Sequence, residues 1–290
     1  MNKFLTEKKL IAFRKKESGT YYDISSKIIV FDTFFGLCNQ IYDIHYGINF
    51  CLKNNIKFTF RYANFRKDDL VTFYNVNFDE LFDTEFLKDI NLYVDLNSLE
   101  LNDKNTRNLN TNIPATILLK NNIKFLKYIK EPYVVLKSIF SLIEDIEISK
   151  DILSIIKPSP KIMNIYHNIH YKLGLNKNPY NFFHYRYEFD FTSFHQLSKI
   201  SSLGLLLNTI KFKNNTYKIY LASSNIKNII KNLNVNNLIY KNEDELTELN
   251  FEERAFIDFI IGKNSEEVYG HPISSFSHTL NRLKNTENFY

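Results

Sequence analysis

His184, Arg186, Glu188 and Asp190 occupy alternate positions in the stretch Phe182-Phe183-His184-Tyr185-Arg186-Tyr187-Glu188-Phe189-Asp190. A period of two puts all four side chains on one face of an extended segment, at the end of an aromatic run that reads as a β-strand. Four ionisable groups on one face cannot be buried cheaply without partners. Strand ends in open α/β sheets are where ligands gather. An arginine beside a histidine and two carboxylates suits a diphosphate there. A half-exposed strand whose charges pair only with one another would carry the same residues.

Two further segments have anion-binding character. Gly36-x-x-Asn39-Gln40 lies between an apolar run and a helical pattern. A glycine there lets the backbone approach a ligand, and the free N–H groups of a helix start favour negative charge. Asn39 and Gln40 add side-chain donors and acceptors. With a single glycine the segment is not the dinucleotide-binding fingerprint, and without Gly-Lys-Ser/Thr it is not a Walker phosphate loop. An ordinary glycine turn with an Asn cap has the same composition. The third segment, Ser274-Ser275-Phe276-Ser277, follows Gly270-His271-Pro272. Its hydroxyls and N–H groups can hold an anion or simply cap a helix. Asp258, on the helix before, could take the N–H donors of a guanine base or face solvent.

These segments need elements to hold them. Lys27–Asp32 is a continuous apolar run, as in a buried parallel strand. From Ile41 to Lys53 the residues Ile41, Ile44, Ile48, Cys51 and Leu52 share a helical face, and Lys57–Phe60 reads as a strand, completing a βαβ unit. Helices are predicted over 78–87, 138–146 and 151–156, strands over 91–95 and 116–119, and a polar loop over 101–114. Pro158-Ser159-Pro160 breaks the chain before a helix over 161–173 and is the candidate hinge between two α/β halves. The second half carries strands at 182–186, 217–223, 238–240 and 267–270. Helical turns fall within 201–210, an amphipathic helix over 251–261 and a last helix over 278–283.

Composition narrows the classes. Hydrophobic residues make up 44% and charged residues 24% of 290 positions, enough for sizeable cores in one large domain or two small ones. The net charge of +5 is spread along the chain, so it suits small anions as well as nucleic acid, and no nucleic-acid motif occurs. Cys38 and Cys51 lack a second pair at zinc spacing and lie too far apart along one helix to bridge, which reads as free thiols. No apolar run is long enough to span a bilayer, and the first residues lack a secretory core. These features predict a cytoplasmic chain with no membrane span and no metal site.

In order and spacing the three motif segments resemble those of the GDP-fucose-dependent fucosyltransferases, most closely the protein O-fucosyltransferase branch. The specific parts are His184-x-Arg186-x-Glu188-x-Asp190 and the Gly270-to-Ser277 stretch. The resemblance implies an α/β protein of two Rossmann-like domains facing across a cleft, the GT-B architecture. The first spans 1–160 on the acceptor side. The second spans 161–290 and binds the sugar nucleotide, its last helix a candidate to pack back on the first. It implies inverting transfer of fucose from GDP-fucose to a protein or glycan hydroxyl, without a metal or resident cofactor. Arg186 would bind the diphosphate and stabilise departing charge, and His184 would orient the nucleotide. Asp258 would meet guanine, Ser274, Ser275 and Phe276 would line the pocket, and Gly36, Asn39 and Gln40 would close over it. A related enzyme using another nucleotide sugar and a non-catalytic nucleotide-binding relative are the alternatives. Phe35 departs from the family pattern, standing where many relatives have glycine. The chain is compact for this architecture and lacks the signal of secretory relatives. The catalytic base is open among Asp32, Asp43, Glu188 and Asp190.

Overall fold

Ile28–Asp32, the strand β1, is the centre of a five-stranded sheet with order β3-β2-β1-β5-β4. Its Ile-Ile-Val-Phe run is buried on both faces, as a central parallel strand requires. The computed structural model describes residues 22–67, 69, 71–109, 123–137, 150–186, 217–223, 226–230 and 237–289. Predicted elements over 116–119, 138–146 and 201–210 lie outside them, as do Glu188 and Asp190. The described residues divide into two units, one formed by 22–65 and 74–157, the other by 66–73 and 158–289.

In the first unit, β1 leads to helix α1 (Leu37–Asn54) and then to β2 (Lys57–Arg66), which pairs parallel to β1. This is the expected βαβ, but α1 begins four residues early, because Gly36 takes the N-cap in extended conformation. It ends at Asn55, whose left-handed backbone (φ 53°) returns its N–H to the last turn. β3 (Phe73–Asn77) lies outside β2, while β4 (Thr106–Asn108) and β5 (Tyr133–Lys137) run parallel to each other on the far side of β1. The predicted helix over 78–87 is two single turns, Phe78–Leu81 and Glu85–Lys88, and Tyr93 forms only an isolated bridge to Phe58. Phenylalanines fill the core in the absence of tryptophan: Phe60 stacks on Phe78 and Phe78 on Phe82, each at 4.9 Å.

The second unit opens with α2 (Pro160–Lys172), whose first residue is a proline, the imino acid best tolerated there. Strands β6 (Tyr180–His184), β7 (Lys218–Ala222), β8 (Leu238–Ile239) and β9 (Val268–Tyr269) form a wholly parallel sheet of order β8-β7-β6-β9. Between β8 and β9 runs α3 (Phe251–Asn264), and α4 (Ser275–Lys284) follows β9. α3 forms where an amphipathic helix is predicted, but its polar residues do not make a solvent face. Glu252, Glu253 and Asp258 are buried along with its apolar residues, each paired inside the fold. In both sheets the chain builds outward on one side of a strand and then returns to its other side. The two switch points, β1/β5 and β6/β9, are where a ligand crevice opens in such sheets.

Candidate functional site

At the β1/β5 switch point, the loop between β1 and α1 is pinned at every residue. The Asp43 carboxylate accepts from the Phe34 N–H at 3.0 Å. Gln40 Nε2 donates to the Phe35 and Asn64 carbonyls, each at 2.8 Å, while its Oε1 accepts from the Thr33 hydroxyl at 2.8 Å and the Asn64 N–H at 2.9 Å. The Gly36 carbonyl accepts the first helical bonds from Asn39 and Gln40. Gln40 is therefore a brace, completely buried with its amide fully used, and not a surface against which a ligand could rest. Asn39 differs: its Oδ1 is buried and receives no hydrogen bond. Gly36 has an ordinary φ of −69°. The left-handed residue is Phe35 (φ 67°), an outlier for an aromatic side chain. Its ring is partly exposed and meets Phe34 edge-on at 4.5 Å, and the Lys137 ammonium lies 4.2 Å from the centre of the Phe34 ring.

Two of the open candidates for a base lie beside this loop. Asp32, at the end of β1, is gripped by Arg61 through two parallel bonds of 3.0 and 2.7 Å. Asp43 is buried beneath Phe34. Both carboxylates are engaged within the first unit.

At the β6/β9 switch point the second unit assembles the other predicted residues. His184, the last residue of β6, is buried, with Nδ1 2.9 Å from the Ser277 hydroxyl and its ring 4.5 Å from that of Phe276. Burial, reinforced by the charges of Arg186, His271 and Lys241, holds its pKa well below the usual histidine range, so the ring is neutral near pH 7. Arg186 is half-buried two residues beyond the strand. The backbone beside it is tied to β7, with Tyr185 N–H to Ala222 O at 2.9 Å and the Ser223 hydroxyl to Tyr185 O at 2.6 Å.

Helix α4 starts three residues earlier than predicted, so Ser275, Phe276 and Ser277 form its first turn instead of leading into it. Ser274 is the N-cap, its side chain makes no capping bond, and no acid occupies the first turn. Phe276 packs on Phe182 and Phe259 as well as on His184. His271 Nδ1 accepts from the Ile273 N–H at 3.2 Å, and Ser274 N–H reaches the His271 carbonyl at 3.1 Å, which fixes the turn into the helix.

Asp258 is not a solvent-facing helix charge but a largely buried acid that already holds two partners. Its Oδ1 accepts from the buried Tyr220 hydroxyl at 2.7 Å and its Oδ2 from the Lys241 ammonium. Sequence reasoning missed these two partners. Tyr220 reads as one more strand aromatic, and Lys241 follows a two-residue strand with no pattern to mark it as buried. Among the described residues no group of three or more His, Cys, Asp or Glu is placed to hold a metal ion, and no helix is long and apolar enough to cross a membrane.

A parallel α/β sheet with a histidine, an arginine and an uncapped helix start at its switch point defines the class of an α/β protein with an anion-favouring end to its sheet. Solved structures narrow the fold. POFUT1 in complex with GDP superposes over 93% of this chain and 99% of its own, with a TM-score of 0.64 at 12% identity. The fucosyltransferase NodZ from Bradyrhizobium superposes over 89% and 93%, with a TM-score of 0.58 at 12% identity. A NodZ α-1,6-fucosyltransferase crystal soaked with GDP-fucose matches with a TM-score of 0.54. The chain has the fold of these fucosyltransferases. No protein-family model and no curated protein sequence matches it.

Proposed function

We propose that this chain is a fucosyltransferase that takes fucose from GDP-fucose to a hydroxyl of a protein or glycan, with inversion at the transferred carbon. The observation that carries the reading is the meeting of His184, Phe276 and Ser277 with the chain leading to Arg186, at the switch point of a sheet with this fold. Arg186 binds the diphosphate and stabilises the charge that develops on the departing GDP. A planar guanidinium can engage two phosphate oxygens at once. The neutral His184 adds no competing charge and orients the nucleotide from the end of β6. The uncapped N–H groups of α4, with Ser274 and Ser275, supply further anion contacts. Phe276 walls the base pocket and Asp258 meets the base edge. In the first unit Asn39, whose Oδ1 has no partner, completes the donor contacts together with the Gly36 backbone. The reading implies a GT-B enzyme built from two Rossmann-like domains.

Asp32 and Asp43 are already engaged, which leaves Glu188 and Asp190 as the candidate bases beside leaving-group stabilisation by Arg186. Charge stabilisation by Arg186 makes a metal dispensable, so chelator is expected to leave transfer intact.

The test is thermal stabilisation by GDP and GDP-fucose set against GDP-mannose and UDP-sugars. Ligand at a hundredfold its Kd stabilises by about 2.7 kcal/mol. A shift with the GDP compounds alone supports the donor, and a shift with UDP-sugars alone moves the function to another transferase. Arg186→Ala is expected to abolish transfer and weaken GDP binding without unfolding the chain. Full activity in that variant removes the mechanism.

A further inference from the structure

The surroundings of Asp258 carry a further step. The acid is 7% exposed on α3, and the two groups that hold it are buried too, Lys241 at 3% and Tyr220 at 0%. Lys241 lies just past β8 and also donates to the Arg254 carbonyl at 3.2 Å, with Glu243 Oε1 3.7 Å from its ammonium. Tyr220 is fixed by a face-to-face stack on Phe182 at 5.7 Å. Phe182 in turn stacks on Phe276, the ring that touches His184. The acid is thus built into the same wall as the histidine. An ionised carboxylate has about four acceptor positions, so roughly two remain once Tyr220 and Lys241 have each taken one. The side chain keeps 11% of its surface through which they can be reached.

We propose that Lys241 is a positioning residue for recognition of the donor's base: its ion pair holds Asp258 ionised and aimed, leaving lone pairs to accept the two adjacent N–H donors on the edge of guanine. The inference rests on the functional reading above, which it deepens by naming what sets the base. Burial drives Asp258 toward the protonated acid, and Glu243 pushes the same way, while Lys241 and the Tyr220 hydroxyl oppose them. Among the described residues these are the charged and titratable groups that act on it, from β7, from the segment after β8 and from the turn at Glu243. A protonated Asp258 would set an O–H against the N–H donors of guanine. Uracil has a single N–H between two carbonyls, so a uridine nucleotide held by its phosphates is insensitive to the state of this acid.

The experiment measures affinity for GDP and UDP across pH in the wild-type chain, Lys241→Met, Lys241→Arg and Tyr220→Phe. Loss of a charge-assisted contact lowers affinity by about tenfold or more. Lys241→Met is expected to lose that much for GDP near neutral pH, to recover as pH rises and Asp258 ionises, and to bind UDP as the wild type does. Lys241→Arg keeps the charge and is expected to keep a flat profile. Tyr220→Phe retains the stack and removes one donor, so its GDP profile moves the same way by a smaller amount. It decides the matter if Lys241→Met does not fold. Wild-type GDP affinity and pH profile in Lys241→Met and Tyr220→Phe overturn the inference while leaving the donor assignment intact. So does an equal loss of GDP and UDP. A wild-type chain that binds no guanine nucleotide at any pH overturns the functional reading and the inference with it.

Discussion

Asn39 and Gln40 are neighbours in sequence with opposite environments, and only the fold separates them. Gln40 serves four groups of the first unit, while the Oδ1 of Asn39 serves none. Replacing Gln40 by Leu keeps the volume but orphans a buried N–H and two carbonyls, and leaves the Thr33 hydroxyl only its longer bond to the Tyr62 carbonyl at 3.3 Å. At about 1–3 kcal/mol for each unsatisfied group, a loss of roughly 3 kcal/mol or more is expected in urea unfolding. Asn39→Ala removes no bond seen in the fold, so its effect is expected on nucleotide binding and not on stability. Equal unfolding losses in the two variants would contradict this division. His184 makes a separate expectation about pH. Its folded pKa is depressed, so the unfolded chain binds the proton more readily. Its contribution to stability is complete above the ordinary histidine range and drains away as pH falls below about 6.5 toward the folded value. His184→Gln is expected to flatten that part of the stability-against-pH curve. The residue types at 184, 186 and 274–277 were legible as chemistry because alternation and serine clustering are local patterns. The engagement of Asp32 with Arg61 and of Asp258 with Lys241 was not, since each joins segments distant in the chain.

Elements with a strong local signal were read nearly to their ends. β1, α1 and β2 follow from an apolar run, a helical face and a second run. Tyr133–Lys137, which follows Pro132 with a Val-Val-Leu core, is the strand that pairs with β1 and creates the first switch point, yet carries no strand signal of its own. Its five residues are too few for periodicity to separate a strand from a short buried helix. The start of α4 was misplaced because the three residues after Ser274 looked like a cap sequence, whereas the cap is Ser274 alone. Gly270 explains how that helix can dock so close to the end of β9. A Cβ there would lie 2.1 Å from Ser277 Oγ and 2.5 Å from Ser277 Cβ. Gly270→Ala therefore has to push away the turn that holds the His184 contact. Overpacking of this kind costs about 1–3 kcal/mol. Ser277→Ala removes only the oxygen, so adding it to Gly270→Ala is expected to restore little, and Ser277→Gly to restore more. Full rescue by Ser277→Ala, followed by thermal unfolding, would show that the hydroxyl alone sets the spacing.

At the scale of the whole chain, the division into units does not follow the sequence order. Residues 66–73 belong with the second unit although both flanks belong to the first. Nothing local in the sequence marks Arg66 as the partner of an acid in α3, so the membership of this short segment cannot be read from residue order. Arg66 pairs with Glu252 through Nε at 2.9 Å and through its backbone N–H at 2.8 Å, and its guanidinium lies over the rings of Phe73 and Phe251 at 5.5 and 4.8 Å. Glu252 is wholly buried, and burial raises its pKa while Arg66 opposes the rise. Removing one member of a buried pair leaves an uncompensated charge and costs about 3–5 kcal/mol, whereas replacing both members by apolar residues is often nearly neutral. Arg66→Ala and Glu252→Met are each expected to cost about that much in urea unfolding, and the two positions replaced together by Met far less. The same reasoning applies to fragments. A chain of residues 158–290 keeps Glu252 but lacks Arg66, so it is expected to fold poorly at neutral pH. Glu252→Met in that fragment is expected to recover cooperative unfolding, because the buried charge is gone. A fragment that folds as well with Glu252 as without it would show that residues 66–73 are dispensable to the second unit, and that the chain does divide at Pro158 after all.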